Sequence, residues 1–284
     1  MYEKIYVIFI VLIIYRCIYK YYTYQRDTYF QPKIIWTHWD NMDTAPLLIK
    51  NILELRKSKL EGWKIHVLND SNIDMYIDKN RYPKNYNMLM PSQKSDWIRL
   101  YLLKNHGGLW LDAGIVINNS IKFNELYTKS LMYKSELTGF YLNGSIINND
   151  PTTFFESWFI MAAKNSRIIN LWFQEFEHAI NVGFLNYKKK IIKKGVELEK
   201  VYMFGENDTY LTIHATLQKL LQLKEISQPR ILLYKAEDTM FKLHIDCDWD
   251  SDCIYNKITK EDVKHIPYIK LRGSDRRDGN YVLL

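Results

Sequence analysis

Apolar and polar positions in the first third of the chain switch between two periods. PKIIWTHW, residues 32–39, is a short apolar run opened by Pro32. A strand tolerates proline at its first position, where the missing N–H costs the ladder least. PLLIKNILELRKSKL carries Leu47, Leu48, Ile52 and Leu55 at helical spacing, Gly62 closes it, and WKIHVLND reads as a second strand. Strand, helix and strand within about forty residues make the βαβ unit of a doubly wound sheet. SNIDMYIDK predicts a short helix, and a loop rich in Tyr, Asn and Pro leads on to Pro91.

SQKSDWIRLYLLKNHGG predicts a helix capped by Ser92 and stopped at Gly107, with Trp97, Ile98, Tyr101 and Leu102 facing a core. LWLD is then a strand ending at Asp112, and IVIN resumes extended structure. Ligands of open α/β sheets lie outside the carboxyl ends of the strands, so a carboxylate there is placed for binding. In mid-strand it would be costly. The second half is less periodic. FFESWFIMAA and IINLWFQEFEHAI predict helices, the latter with Ile169, Trp172, Phe173 and Phe176 on one side. TYLTIHATLQKLLQL predicts another helix, RILLY and PYIKL predict late strands, and the basic YKKKIIKKG reads as a solvated face. No internal repeat interrupts the chain.

The N-terminus has a different pattern. An apolar run begins at Ile5 and is stopped by Arg16. At ~1.5 Å per helical residue its uncharged part falls short of the ~30 Å hydrocarbon core. Snorkelling by Lys4, Arg16 and Lys20, with Tyr19, Tyr21 and Tyr22 at an interface, lets residues 5–22 span. A signal peptide shares the pattern, but no small-x-small cleavage site follows; a buried N-terminal element is the competing reading. The expectation is an uncleaved single-pass membrane anchor, with residues 1–31 forming anchor and linker and residues 32–284 one domain.

Composition narrows the partners. The 284 residues suffice for a sizeable core, and 47% hydrophobic content excludes a disordered chain. A formal charge of +7 favours anionic partners: a nucleotide, an acidic lipid surface or nucleic acid. Dispersed basic residues without a recognition motif argue against nucleic acid. Cys247 and Cys253 either bridge in an oxidising compartment or stay free in a reducing one. Asp246, Asp248, Asp250 and Asp252 follow the spacing of a calcium loop, but Ser251 stands at its glycine position and Lys257 at its glutamate position.

The chemistry concentrates around residues 96–112. Asp96 and Arg99 share a helix face, as an ion pair or as a ligand-binding pair. The guanidinium fork suits phosphate and the carboxylate accepts from hydroxyls. Gly107 and Gly108 allow a tight turn and close approach of a ligand. Lys270 and Arg272 alternate onto one face of YIKLRG, either reaching a polyanion or forming an exposed basic edge.

SDWIRLYLLKNHGGLWLDAG as a whole resembles the core motif of the glycosyltransferases that include capsular polysaccharide synthesis proteins, initiating mannosyltransferases of fungal outer chains and glucosylating bacterial toxins. Ser95, Asp96, Arg99, Gly107, Gly108 and Asp112 carry the match. PKIIWTHWDN with Ala45 and Pro46, ESWFIMAAKNSRIINLWFQEF, TYLTIH and YIKLRG extend it over residues 32–272, nearest the capsular group. The resemblance implies a GT-A-like α/β fold with a central, mostly parallel sheet. It implies transfer of a sugar, with retention, from a UDP- or GDP-sugar to a glycan or other hydroxyl acceptor. Asp112 would lie by a divalent cation, Mn2+ or Mg2+, with Asp96 and Arg99 on the donor sugar and its phosphate side. Gly107 and Gly108 would belong to the donor cradle, and Trp36 would lie beside the base. Lys270 and Arg272 are expected at the diphosphate. The departure is Gly114, which stands where the family pattern has a second Asp. An inactive glycan- or nucleotide-sugar-binding relative is the alternative. Arg16, Lys20 and Arg26 favour a cytosolic domain while glycan modification favours a lumen or envelope, so the compartment stays open.

Overall fold

The computed structural model of the protein describes residues 12–16, 29–142, 155–198, 209–227, 229–259 and 263–276. Of the expected anchor, residues 12–16 are helical and the rest of 5–22 lies outside the described residues. No helix among the described residues is long and apolar enough to cross a membrane.

Strand β1 (Ile34–His38), helix α1 (Leu47–Lys59) and strand β2 (Lys64–Leu68) form the βαβ unit, with β1 and β2 parallel from Ile34–Lys64 to His38–Leu68. Helix α1 buries Leu48, Ile49, Ile52, Leu53 and Arg56, whereas Leu47 is exposed and Leu55 half-buried. Its core stripe is therefore rotated by one residue from the expected one, and it includes an arginine. SNIDMYIDK forms only a single tight turn of helix, Ile73–Met75. Helix α2 (Pro91–His106) begins at Pro91, ahead of the expected cap Ser92. Proline fits there because the first helical N–H has no intrahelical acceptor, and the Gln93 side chain accepts from the N–H of Met90 instead.

Strands β3 (Gly108–Leu111) and β4 (Ile115–Ile117) follow, then helix α3 (Ser120–Tyr133) and strands β5 (Leu137–Tyr141) and β6 (Phe155–Ala162). Helices α4 (Arg167–Val182), α5 (Phe184–Lys193) and α6 (Thr212–Gln222) precede β7 (Ile231–Lys235). Short helices α7 (Lys242–Asp246) and α8 (Ser251–Thr259) lead to β8 (Tyr268–Lys270). The main sheet has the order β2-β1-β3-β6-β5-β7. β6 runs antiparallel to both its neighbours, and the remaining pairings are parallel. The expected mostly parallel α/β architecture is thus present, with one reversed strand at its centre.

That strand corrects an expectation: FFESWFIMAA is not a helix. Every residue of β6 is buried, because apolar clusters cover both sheet faces. One cluster holds Trp97, Trp110 and Trp172, the other Phe123, Phe140 and Phe159. A strand buried on both sides shows no alternation, so its pattern is indistinguishable from a buried helix. β6 is also bulged: Gly139 of β5 faces Ile160, but Tyr141 faces Phe155. The bulge detaches the backbone of Ser157 and Trp158 from β5.

The packed part starts earlier than residue 32. Tyr29 donates its hydroxyl to the Gln31 side chain (2.8 Å), and Ser130 Oγ donates to the same oxygen (2.8 Å). Residues 29–31, expected as linker, therefore belong to the fold. Cys247 and Cys253 form a disulfide across the turn between α7 and α8.

Candidate functional site

Asp112 is the first residue past the carboxyl end of β3, and its N–H donates to the detached Trp158 carbonyl at 3.0 Å. Three groups meet its carboxylate. Trp110 Nε1 donates to Oδ1 (2.9 Å), Lys270 Nζ donates to Oδ2 (2.8 Å), and Arg99 Nη2 lies 3.7 Å from Oδ1. The Asp112 side chain is 27% exposed, whereas those of Lys270 and Arg99 are buried. Burial alone would raise its pKa, but Lys270 and Arg99 overcome that and hold it at about 2. Asp112 is ionised at any physiological pH.

Helix α2 contributes the next shell. Arg99 Nη2 lies 3.2 Å from Asp96 Oδ1, Nη1 donates to the Ser157 carbonyl (2.7 Å), and the guanidinium covers the Trp110 ring at 5.0 Å. The helical spacing of the pair and the bulge in β6 together fix that guanidinium. Asp96 is buried, and desolvation pushes its carboxyl upward against the pull of Arg99. Lys270 reaches the site because β8 pairs antiparallel with β4, which sets it opposite Ile115. Burial lowers its pKa and Asp112 opposes the shift.

Sequence reasoning missed three residues. Arg56, fully buried on α1, donates through Nη2 to the main-chain oxygens of Asp112 (2.8 Å) and Ile115 (3.1 Å), and through Nη1 to Thr37 Oγ1 (2.6 Å). Its signal was available: it continues the stripe of Ile49, Ile52 and Leu53. Arg276 lies across Gly114, where an added Cβ would stand 3.3 Å from its Cδ and 3.0 Å from the Leu271 carbonyl. Nothing in the sequence announced that contact. Glu156 is buried on the bulged β6, and burial, opposed by Lys270, pushes its carboxyl up to about 8. It was hidden by reading β6 as a helix.

Other expected site residues lie elsewhere. Trp36 is in the middle of β1, buried, stacked on His66 at 4.6 Å, and its Nε1 donates to the Gly107 carbonyl at 2.9 Å. It is a strut of the core with no face open to a base. Gly107 and Gly108 lie at the amino end of β3, roughly 13 Å of strand from Asp112. Their φ angles are 69° and 98°, and an added Cβ would stand 2.7 Å from Lys164 N or Ile34 O. They serve the crossing of α2 into the sheet, not a donor cradle. Arg272 turns away from Asp112: it contacts Asp275 Oδ1 (2.9 Å) and the Trp249 carbonyl (2.9 Å) and lies over the Trp249 ring. β8 has ended at Lys270, so strand alternation no longer applies to it. Asp275 in turn holds buried His244 (2.8 Å), which staples the closing segment to α7. Buried His214 is kept neutral by desolvation, with Arg99 adding to the shift.

The divalent ion implied at Asp112 does not fit these side chains. Lys270 occupies Oδ2, Trp110 occupies Oδ1, and Gly114 offers no second carboxylate. Among the described residues, no three His, Cys, Asp or Glu side chains are grouped to hold a metal. A dication held by a single carboxylate would draw its remaining oxygens from phosphate and water, but both Asp112 oxygens here already accept from N–H donors.

Residues 12–181 match the family model described as capsular polysaccharide synthesis protein. The O-glycosyltransferase braB of Annulohypoxylon truncatum is 25% identical over 162 residues, covering 51% of this chain and 37% of that protein. The chain thus spans well under half the length of this curated relative. A crystal structure of a glycosyltransferase involved in the glycosylation of the major capsid of PBCV-1 superposes with a TM-score of 0.44 at 12% identity, over 86% of this chain and 94% of that one.

Proposed function

The chain belongs to the capsular polysaccharide synthesis protein family, and from that premise we propose that it is a glycosyltransferase. Its donor is a sugar linked to a nucleoside diphosphate, UDP or GDP, and its acceptor is a hydroxyl of a glycan or another molecule. The observation that carries this reading is the convergence of Asp96, Arg99, Asp112 and Lys270 just past the carboxyl end of β3. That is the edge at which open α/β sheets receive ligands.

In the reaction, the bond from the anomeric carbon to the diphosphate oxygen breaks and a bond to the acceptor oxygen forms. The acceptor's proton leaves with the nucleoside diphosphate. Negative charge grows on the departing oxygen, and Lys270 and Arg99 are the cations set to stabilise it. Asp112 aligns those two cations, and Asp96 accepts from a hydroxyl of the donor sugar. Retention at the anomeric carbon follows the family resemblance, and no step is assigned to a protein nucleophile. Residues 5–22 tether the domain to a membrane, which resistance to carbonate extraction would test.

The experiment is a panel of UDP- and GDP-sugars offered without acceptor. One member should bind preferentially and be hydrolysed slowly. Binding of a sugar nucleotide with no turnover, even with a broad set of glycan acceptors, would leave only a binding protein. No binding at all would remove the donor reading altogether.

A further inference from the structure

We infer that this site holds the donor diphosphate with side-chain cations in place of a divalent ion, Arg276 standing over Gly114 where a second carboxylate would lie. The inference rests on the donor reading above and specifies how that donor is bound. Arg99 and Lys270 contact the Asp112 carboxylate directly, and Arg56 grips its main chain. Arg276 closes the same turn from the other side, its guanidinium held 5.6 Å over the Trp39 ring and its Nε donating to the Arg272 carbonyl at 3.1 Å. Among the described residues, its two Nη groups make no hydrogen bond, which leaves that end of the fork the part suited to phosphate oxygens.

Charge decides between the alternatives. Arg99 and Lys270 contact the Asp112 carboxylate, Arg56 holds its main chain, and Arg276 lies over Gly114. A dication entering here meets these cations and has to displace Lys270 from Oδ2. A diphosphate meets charge opposite to its own: guanidinium forks and an ammonium, which are the groups that bind phosphate oxygens by charge-assisted hydrogen bonds. Position 114 is also tight for the missing ligand, since the neighbours of an added Cβ would have to give by a few tenths of an ångström. An Asp there would bring its Cβ to 3.0 Å from the Leu271 carbonyl and its side chain into the path of Arg276. Gly114 and Arg276 are complementary features of one device, a cation where the family pattern has a carboxylate.

The test is calorimetric titration of UDP and GDP into the full chain, first in EDTA and then with Mn2+ or Mg2+. One nucleotide is expected to bind equally well in both conditions. Tightening by tenfold or more on adding metal, about 1.4 kcal/mol, overturns this inference alone. Failure of both nucleotides in every condition overturns the donor reading with it. Arg276→Met should weaken binding by about tenfold and flatten its salt dependence, with Arg276→Lys recovering part of the loss. Unchanged affinity in Arg276→Met returns that residue to a packing role and removes the inference. Asp112→Asn separates the mechanisms further. If Asp112 held a metal against the diphosphate, the variant would lose nucleotide affinity. With cations as the binding groups, any loss in Asp112→Asn should be the same in EDTA as with Mn2+ or Mg2+, and a loss seen only with metal present overturns the inference.

Discussion

Arg56 grips Asp112 by its backbone and not by its carboxylate: Nη2 donates to the main-chain oxygen at 2.8 Å. The same guanidinium reaches the Ile115 carbonyl, so one buried side chain spans the turn that presents Asp112 to the cleft. Burial lowers its pKa to about 9, and the nearby Asp112 charge opposes the shift.

Replacing Arg56 by Met leaves two carbonyls and the Thr37 hydroxyl without their buried partner. The expected cost is about 3 kcal/mol in urea unfolding, with a smaller loss for Arg56→Lys. A variant as stable as the wild type would mean that water substitutes for the guanidinium.

Stability should fall as pH rises through the neutral range. Buried Glu156 ionises near 8 in the fold and near 4.5 in a model peptide, so the folded state binds the extra proton between those values. Its contribution is complete below pH 4.5 and is lost as pH climbs through 8. Glu156→Gln removes that titration, so its melting temperature should vary less between those limits and exceed that of the wild type at the alkaline end. Identical pH profiles for the two proteins would place Glu156 in contact with solvent. Asp112 acts with the opposite sign, its contribution disappearing only as pH falls from about 3.8 toward 2.

Gly107→Ala should destabilise by about 2 kcal/mol or more, because the new Cβ meets the Lys164 backbone at 2.7 Å with φ at 69°. Nucleotide affinity of the protein that does fold should be unchanged. A selective loss of affinity would restore the glycine to the donor cradle.

Cys253→Ser opens the bridge to Cys247 and should cost about 2 kcal/mol, as expected for a short loop. Thermal melts with and without reductant should reproduce the same difference in the wild type and none in the variant. A wild-type melt insensitive to reductant would show that the bridge contributes nothing to stability.

The sequence revealed what local periodicity can reveal. The βαβ opening, helix α2 and the placement of Asp112 at a strand end follow from amphipathic spacing and a glycine stop. So does the pairing of Asp96 with Arg99, which helical geometry alone brings to 3.2 Å. Two kinds of feature escaped. β6 is apolar on both faces, so its period is uninformative, and Glu156 and the bulge at Ser157 were lost with it. The second kind depends on contacts distant in sequence: Arg276 over Gly114, Arg56 beneath the turn, and the turning of Arg272 toward Asp275. Trp36 was misplaced for a related reason, since an aromatic in a short strand reads equally well as a ligand platform or as core.

The pairing of Asp112 with Lys270 spans 158 residues, and β8 joins β4 over a similar separation. At translation rates of about 5–20 residues per second, Asp112 leaves the ribosome on the order of ten seconds before its ammonium partner exists. During that interval the edge of β4 lacks its partner strand and the carboxylate lacks its Lys270 partner. A nascent chain is therefore expected to remain unable to hold a sugar nucleotide until its closing segment docks, and the wait is also the period in which chaperones or non-native partners have their best access to that edge.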